Sequence, residues 1–300
     1  MKAPKMTYAR ADSVAQALAL LAEHGDGANV LAGGQSLMPT LNMRLSKPDL
    51  LIDINRLEDL AGISVEDDAV RIGALTRHAA VQQSPIVAEH LPLIAEAMPH
   101  VAHVAVRNRG TFGGSIALAD PAAELPACIL ALGATITVES VRGRRDIAVA
   151  DFFKGLFETE RQPDELLIEI RIPCQRPGTV HAFMELSRRQ GDFAIAGVAC
   201  AAETDGETVT DAKLVYFASE DRPTLAANAV AAIAGKVWSD ESRSAAMAAL
   251  SEDLDPMDNL QGSAAFKLHL QRVLTGRVLD PALERARAAC APRPRPSRSR

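Results

Sequence analysis

Apolar residues recur at Val14, Ala17, Leu18 and Leu21, the i, i+3, i+4, i+7 spacing of a helix with one buried face. Ser13 stands just ahead of them with Gln16 three residues on, a capping-box pattern, and Gly25 offers a stop; a helix over residues 13–23 is expected. The period then changes. Residues 29–32 and 50–54 read as short buried strands around Gly33-Gly34, and a small parallel βαβ-like unit accounts for both. Beyond Ile63 the alternation at 70–74, 134–138 and 166–172 (LLIEIRI) predicts further strands. Helices are expected at 76–83, at 91–98 and from Leu125 through LPACILALG. The stretch 173–178, PCQRPG, stops helices and central strands alike and marks a boundary.

After that boundary, 182–186 and 213–218 read as strands with the apolar run 195–201 between them, a plain core strand. Helical spacing follows at 224–234, 241–249 and 264–274, the last placing Phe266, Leu270, Val273 and Leu274 on one face. The final APRPRPSRSR has no apolar periodicity and is expected to be disordered.

Composition narrows the function classes. The chain has 300 residues, enough for one large or two modest domains. A net charge of −6 and 4% aromatics argue against nucleic acid or an anionic membrane surface as the main partner. No apolar run approaches the roughly 20 residues that span a bilayer, and MKAPKMTYARADS lacks a signal-peptide core, so a cytoplasmic protein is expected. Cys128, Cys174, Cys200 and Cys290 are too scattered for a zinc or iron–sulfur site of the chain's own and read as buried thiols.

The candidate chemistry lies in two glycine segments. VRNRGTFGGSIALADPAAELPA (residues 106–127) sets Gly113-Gly114 between Thr111 and Ser115, and LAGGQSLMP (31–39) sets Gly33-Gly34 before Gln35 and Ser36. Residues without Cβ let backbone N–H groups approach an anion, and hydroxyls add donors, so two nest-like loops point to one long diphosphate ligand. Neither segment is GxGxxG. Gly33-Gly34 also fits a strand-end turn, Glu124 a helix cap, Phe193 ordinary core, and Arg107 with Arg109 either a phosphate clamp or a surface pair. His100 and His103 lack a third metal ligand and read as a polar loop.

The segments LAGGQSLMPTLNMRLSKPDLLIDIN, IGALTRH, RNRGTFGGSIALADPAAELPA and SRRQGDFAIAGVA, in that order, resemble the FAD-binding medium subunit of molybdenum hydroxylases. That family includes carbon monoxide, caffeine and nicotine dehydrogenases and the flavin portion of xanthine dehydrogenase. The resemblance covers about residues 1–285 and implies an α+β fold. A vanillyl-alcohol-oxidase-type FAD-binding domain would occupy 1–175 in two subdomains, about 1–56 and 57–175. A C-terminal α+β domain with an antiparallel sheet would occupy 176–287, followed by a tail at 288–300.

It also implies a site without catalytic residues for the organic substrate and without a metal. Ala32, Gly33, Gly34, Gln35 and Ser36, with Thr111, Gly113, Gly114 and Ser115, would donate to the FAD pyrophosphate, and Thr76 would join them. Leu31, Leu37 and Asn108 fall at further cofactor-binding positions, Val101 on the adenine side, and Glu124 at a carboxylate that hydrogen-bonds FAD. Leu167, Gly191, Asp192 and Phe193 would border the isoalloxazine ring. Molybdopterin would belong to a large subunit and [2Fe–2S] clusters to a small one, the three chains forming a heterotrimer that dimerises. Leu118 stands where many relatives carry His, and Met184 where xanthine dehydrogenase-like domains carry Lys. A standalone flavin oxidase or reductase, and a nucleotide-binding assembly protein, remain alternative readings of the residues.

Overall fold

A computed structural model describes residues 2–176, 178–205 and 208–290. The chain opens with β1 (Thr7–Arg10), α1 (Val14–His24), β2 (Ala28–Leu31), α2 (Leu37–Asn42) and β3 (Leu50–Asp53), the three strands forming a parallel sheet in the order β1-β3-β2. Ser13 caps α1 by accepting the Gln16 N–H at 3.1 Å, while the Gln16 side chain reaches past the expected partner to the Asp12 N–H at 2.7 Å. Ala17, Leu18 and Leu21 are buried as their spacing requires. The strand β1 has an exposed, non-alternating pattern and leaves no periodic signal.

The next strands, β4 (Ile63–Glu66), β5 (Ala69–Gly73), β6 (Thr135–Ser140), β7 (Gly143–Ala148) and β10 (Leu166–Pro173), make an antiparallel sheet ordered β4-β5-β10-β6-β7; a hairpin, β8 (Phe153–Gly155) and β9 (Glu158–Thr159), lies apart. Between β5 and β6 run six short helices: α3 (His78–Gln83), α4 (Pro85–His90), α5 (Pro92–Ala97), α6 (Val104–Arg107), α7 (Phe112–Leu118) and α8 (Glu124–Leu132); α9 (Val149–Phe152) follows β7. A bulge between Leu167 and Glu169 lets β10 serve two cores. Leu166 and Ile168 enter the core of the small parallel unit, whereas Leu167, Ile170 and Ile172 enter the large one.

The C-terminal sheet is antiparallel: β11 (Thr179–Ser187), β12 (Ala194–Thr204), β13 (Thr208–Phe217) and the short β14 (Thr224–Leu225), with β15 (Lys236–Val237) also on β13. Along β12 the period of two divides the side chains. Ala196, Val198, Cys200 and Ala202 face α10 (Ala227–Ile233), α11 (Asp240–Asp253) and α12 (Ala264–Cys290), while Ala199 joins Phe183, Val215 and Phe217 in the large core of the first domain. The two domains therefore share apolar packing. Gly197 pairs with Phe217, whose ring would lie 2.2 Å from any Cβ there.

The expected helix over 264–274 forms, and two details at the C-terminus differ from expectation. On α12 the buried face is Lys267, Gln271, Leu274, Thr275 and Val278, and Phe266 is 45% exposed. Hydrogen bonds let polar side chains share that face with Leu274: Lys267 Nζ donates to the Met257 carbonyl (2.8 Å), Gln271 to the Phe217 carbonyl and Ser219, and Thr275 meets the Tyr216 hydroxyl at 2.6 Å. The helix also continues through 288–290, the start of the expected tail; 291–300 lie outside the described residues.

Candidate functional site

Where β2 ends at Leu31, the chain turns through Ala32–Ser36 into α2, with Gly34 at φ +71°. Asn55 fixes that turn from below. Its amide donates to the carbonyls of Leu31 (3.2 Å) and Ala32 (2.8 Å) and to Asp53 (2.8 Å), and its oxygen accepts from Arg77 (2.8 Å). With the carbonyls held there, the backbone N–H groups of Ala32, Gly33, Gly34, Gln35 and Ser36 engage no acceptor among the described residues. Five successive donors without partners suit an anion.

Gly33 is required by a neighbour. A Cβ there would lie 2.5 Å from the Arg109 carbonyl and 2.8 Å from the Gly110 Cα, so the turn sits directly against the second glycine segment. Arg77 bridges the two, donating to the Arg109 carbonyl as well as to Asn55. Leu31, Ala32, Gly33, Gly34, Gln35, Met38, Pro39, Asp53, Asn55, Arg77 and Arg109 line one open cleft of about 650 Å³. Burial, then the nearby Arg109, lowers the Arg77 pKa, yet a guanidinium keeps its charge. Burial pushes the Asp53 carboxyl up, but hydrogen bonds from the Tyr8 hydroxyl (2.6 Å) and Asn55 outweigh it and hold the group ionised. Two fixed cations, one anion and free N–H groups suit a ligand of about −2 charge.

The second segment is built otherwise, and the expectation of a second nest is not met. Gly113 and Gly114 lie in the first turn of α7, not in a loop. The N–H of Phe112 goes to the Thr76 carbonyl (2.9 Å), that of Gly113 to the Ala74 carbonyl (2.9 Å), and that of Gly114 to the Thr111 hydroxyl (3.2 Å). A Cβ on Gly113 would meet the Ala74 Cα at 2.6 Å; this glycine admits the chain leaving β5, not a ligand. The Thr111 N–H and the Ser115 hydroxyl stay without a partner among the described residues. Thr76 is likewise committed, its buried hydroxyl donating to the Gly62 carbonyl and accepting the Gly62 N–H, each at 3.0 Å.

Arg107 and Arg109 have separate roles. Arg107 is buried and donates to the carbonyls of Val101 and Ala102, both at 2.8 Å, pinning a turn in which Ala102 has φ +46°. Val101 is buried in that turn and Asn108 is exposed at the end of α6. Gly191 brings the C-terminal domain against it: at φ +77°, a Cβ there would lie 2.7 Å from His103 Nδ1. Asp192 is exposed, its carboxylate accepting the Phe193 N–H at 2.9 Å. Phe193 is 54% exposed and so is not core. Leu167 is buried in the large core, and Leu118 ends α7 half-buried.

Glu124 opens α8 and is buried. Burial, aided by Glu185 and Asp120, raises its carboxyl to about 7 against the opposing effects of its own backbone N–H and His100. His100 Nδ1 meets Glu185 Oε1 at 3.3 Å, and no His, Cys, Asp and Glu cluster among the described residues could hold a metal.

Residues 4–175 match the FAD binding domain in molybdopterin dehydrogenase, and residues 181–282 match the CO dehydrogenase flavoprotein C-terminal domain. The chain belongs to the FAD-binding medium subunits of molybdenum hydroxylases. It is 41% identical to the 6-hydroxypseudooxynicotine dehydrogenase complex subunit alpha of Paenarthrobacter nicotinovorans, covering 96% of this chain and 97% of that one. It is 42% identical to the caffeine dehydrogenase subunit beta of Pseudomonas sp. (strain CBB1), over 74% and 76%. The solved carbon monoxide dehydrogenase from Hydrogenophaga pseudoflava that lacks the Mo-pyranopterin moiety matches with a TM-score of 0.92 and 38% identity, over 95% and 99%. Medium subunits of this family bind FAD, and the cleft at Ala32–Ser36 fits its diphosphate by free donors and by charge. Asp53, Asn55 and Arg77 carried no assigned role in the sequence reading, although LLIDIN and IGALTRH contain them. Their function depends on side-chain reach across three elements, which periodicity does not encode.

Proposed function

We propose that the chain is the FAD-carrying electron-transfer subunit of a heterotrimeric molybdenum hydroxylase. The observation that carries this reading is the row of free N–H groups at Ala32–Ser36, closed on one side by Arg77 and Arg109. Bound there, FAD supplies redox chemistry between [2Fe–2S] clusters of a small subunit and an external acceptor, while a molybdenum-bearing large subunit hydroxylates the substrate.

This chain's own residues hold, orient and shield. Ala32–Ser36 donate to the diphosphate, with Thr111 and Ser115 adding a backbone and a hydroxyl donor from the opposite side; Leu31, Leu37 and Asn108 flank them. Val101 borders the adenine side, Glu124 bonds a polar group of the ligand, and Asp192 with the exposed Phe193 covers the ring from the C-terminal domain. Leu167 backs the ring region from the core. Thr76 and the glycines of α7 act through the backbone they position. The names of the relatives, a pseudooxynicotine and a caffeine dehydrogenase, favour a nitrogen heterocycle or its derivative as the substrate of the partner subunit. Two heterotrimers pair, and the complex is cytoplasmic; no helix among the described residues is long and apolar enough to cross a membrane.

Gentle purification from the native host tests this. Flavin absorption with iron–sulfur shoulders and two co-purifying chains is expected. Flavin on a lone chain that turns over a substrate would instead establish a standalone flavoenzyme, and a colourless protein would remove the flavin altogether.

A further inference from the structure

One side chain of the cleft has the wrong charge for its place. Asp53 ends β3, level with Leu31 in the parallel register of β2 and β3, so its carboxylate stands beside the first peptide of the glycine turn. A single amide nitrogen spans the two: Asn55 Nδ2 lies 2.8 Å from Asp53 Oδ1 and 2.8 Å from the Ala32 carbonyl oxygen. An anion fixed there repels a diphosphate on the free N–H groups of Ala32–Ser36 unless a proton donor of the ligand comes between them.

The carboxylate does not relieve the conflict by taking a proton. Burial opposes its ionisation, and the bonds from Tyr8 and Asn55, with the charge of Arg10 on β1, outweigh that burial. A carboxylate offers about four acceptor positions. Oδ1 takes the Asn55 backbone N–H at 2.9 Å and the Asn55 amide at 2.8 Å, and Oδ2 takes the Tyr8 hydroxyl at 2.6 Å. Both bonds on Oδ1 belong to the turn that leaves β3, and structure alone accounts for that oxygen. On Oδ2 one acceptor position stays open among the described residues.

A neutral donor fits that position, and a sugar hydroxyl is the donor that a nucleotide carries next to its diphosphate. In dinucleotide-binding βαβ units an acid about 20 residues beyond the glycine turn takes ribose hydroxyls. Asp53 stands at that place relative to Gly33, at the end of the parallel strand beside β2, although the chain has no GxGxxG.

Resting on FAD as the ligand, we propose that Asp53 Oδ2 accepts a hydroxyl of the sugar beside the diphosphate, so that Asp53 is the residue by which the cleft selects a hydroxylated sugar. Tyr8 and Asn55 are positioning residues that aim the carboxylate. FAD carries such hydroxyls on both sides of its diphosphate, on the adenosine ribose and on the ribityl chain, and the same acceptor serves either.

The test uses the full-length chain, with FAD and ADP as probes. Each is paired with an analogue that keeps the diphosphate and lacks the hydroxyls: 2′,3′-dideoxy-ADP for the ribose, and an FAD with a deoxygenated side chain for the ribityl group. In the wild type one pair should differ roughly ten- to hundredfold in dissociation constant, the range of a hydrogen bond to a charged acceptor. A gap in the ADP pair assigns the bond to the ribose; a gap in the FAD pair alone assigns it to the ribityl chain. Asp53→Asn keeps the shape and removes the charge. There the gap should shrink severalfold, and the hydroxyl-free analogue should bind more tightly than it does to the wild type, because nothing repels its diphosphate. Each gap is a ratio within one protein, so a change in folded fraction cancels. Equal affinities within both pairs in the wild type, or a gap that Asp53→Asn leaves unchanged, overturn the proposal while leaving FAD binding intact. Absence of any FAD binding by the wild type overturns the reading on which it rests.

Discussion

The two glycine pairs look alike as sequence and differ as structure. Gly33-Gly34 ends a strand whose carbonyls are held by Asn55, and the five N–H groups from Ala32 to Ser36 remain free for a ligand. Gly113-Gly114 opens a seven-residue helix in which the N–H groups of Phe112, Gly113 and Gly114 are spent on Thr76, Ala74 and Thr111. On the proposed reading the first pair makes a binding surface; the second makes a joint, clamping α7 onto the turn after β5 so that Arg109 and Gly110 back the first. A glycine motif thus reports close backbone approach, and the approaching partner can be a ligand or the protein itself.

The sharpest contrast between the two regions is expected in their acid sensitivity. His78 lies under the second segment, its ring 3.0 Å from where a Gly110 Cβ would stand, and both ring nitrogens lack an ordinary hydrogen bond. Burial is the main reason its pKa falls to about 4; a Thr111 backbone contact opposes this and Arg107 adds to it. The depressed value means that the unfolded state takes up a proton first as pH falls. Stability present above about pH 6.5 is lost progressively toward pH 4, an upper bound of about 3 kcal/mol. Urea midpoints measured across that range should fall in the wild type and flatten in His78→Gln.

The arginines separate the regions next. Arg107→Met leaves the Val101 and Ala102 carbonyls buried without their donor, and unfolding free energy should drop by about 2–3 kcal/mol. Arg77→Met removes a charge from the cleft, and the FAD dissociation constant should rise roughly ten- to hundredfold, for about 1.5–3 kcal/mol of charge-assisted bonding. If both variants lost stability alone, Arg77 would belong to the joint. The smallest effect concerns the cap of α7: Thr111→Val removes the acceptor for the Gly114 N–H and should cost about 1 kcal/mol of stability, read from the shift in urea midpoint.

Much of the fold was legible because local rules carried it. Ser13, Gly25 and the apolar spacing between them bound α1, and LLIEIRI is continuously apolar at 166–168, where β10 packs on both faces, and alternates beyond, where Ile170 and Ile172 enter one core. The failures are equally physical. On α12 the buried face keeps Leu274 but admits Lys267, Gln271 and Thr275, because distant carbonyls and hydroxyls satisfy them, and β1 pairs with β3 without a pattern of its own. At the site, the first glycine turn could be read from its residues. Whether the N–H groups of the second were free depended on Ala74 and Thr76, far upstream in the chain.

The decisive measurement is FAD affinity per folded molecule, with unfolding free energy alongside, for Gly33→Ala and Gly113→Ala. In each, the added methyl meets backbone atoms, at 2.5 Å and 2.6 Å respectively, so the intrusions are matched and only their places differ. An overpacking cost of about 1–3 kcal/mol should lower stability in both; in Gly33→Ala the displaced turn should also weaken the FAD complex roughly tenfold or more, while Gly113→Ala keeps near-native affinity. Equal loss of affinity in both, or loss confined to Gly113→Ala, would contradict the assignment of the diphosphate to the first turn.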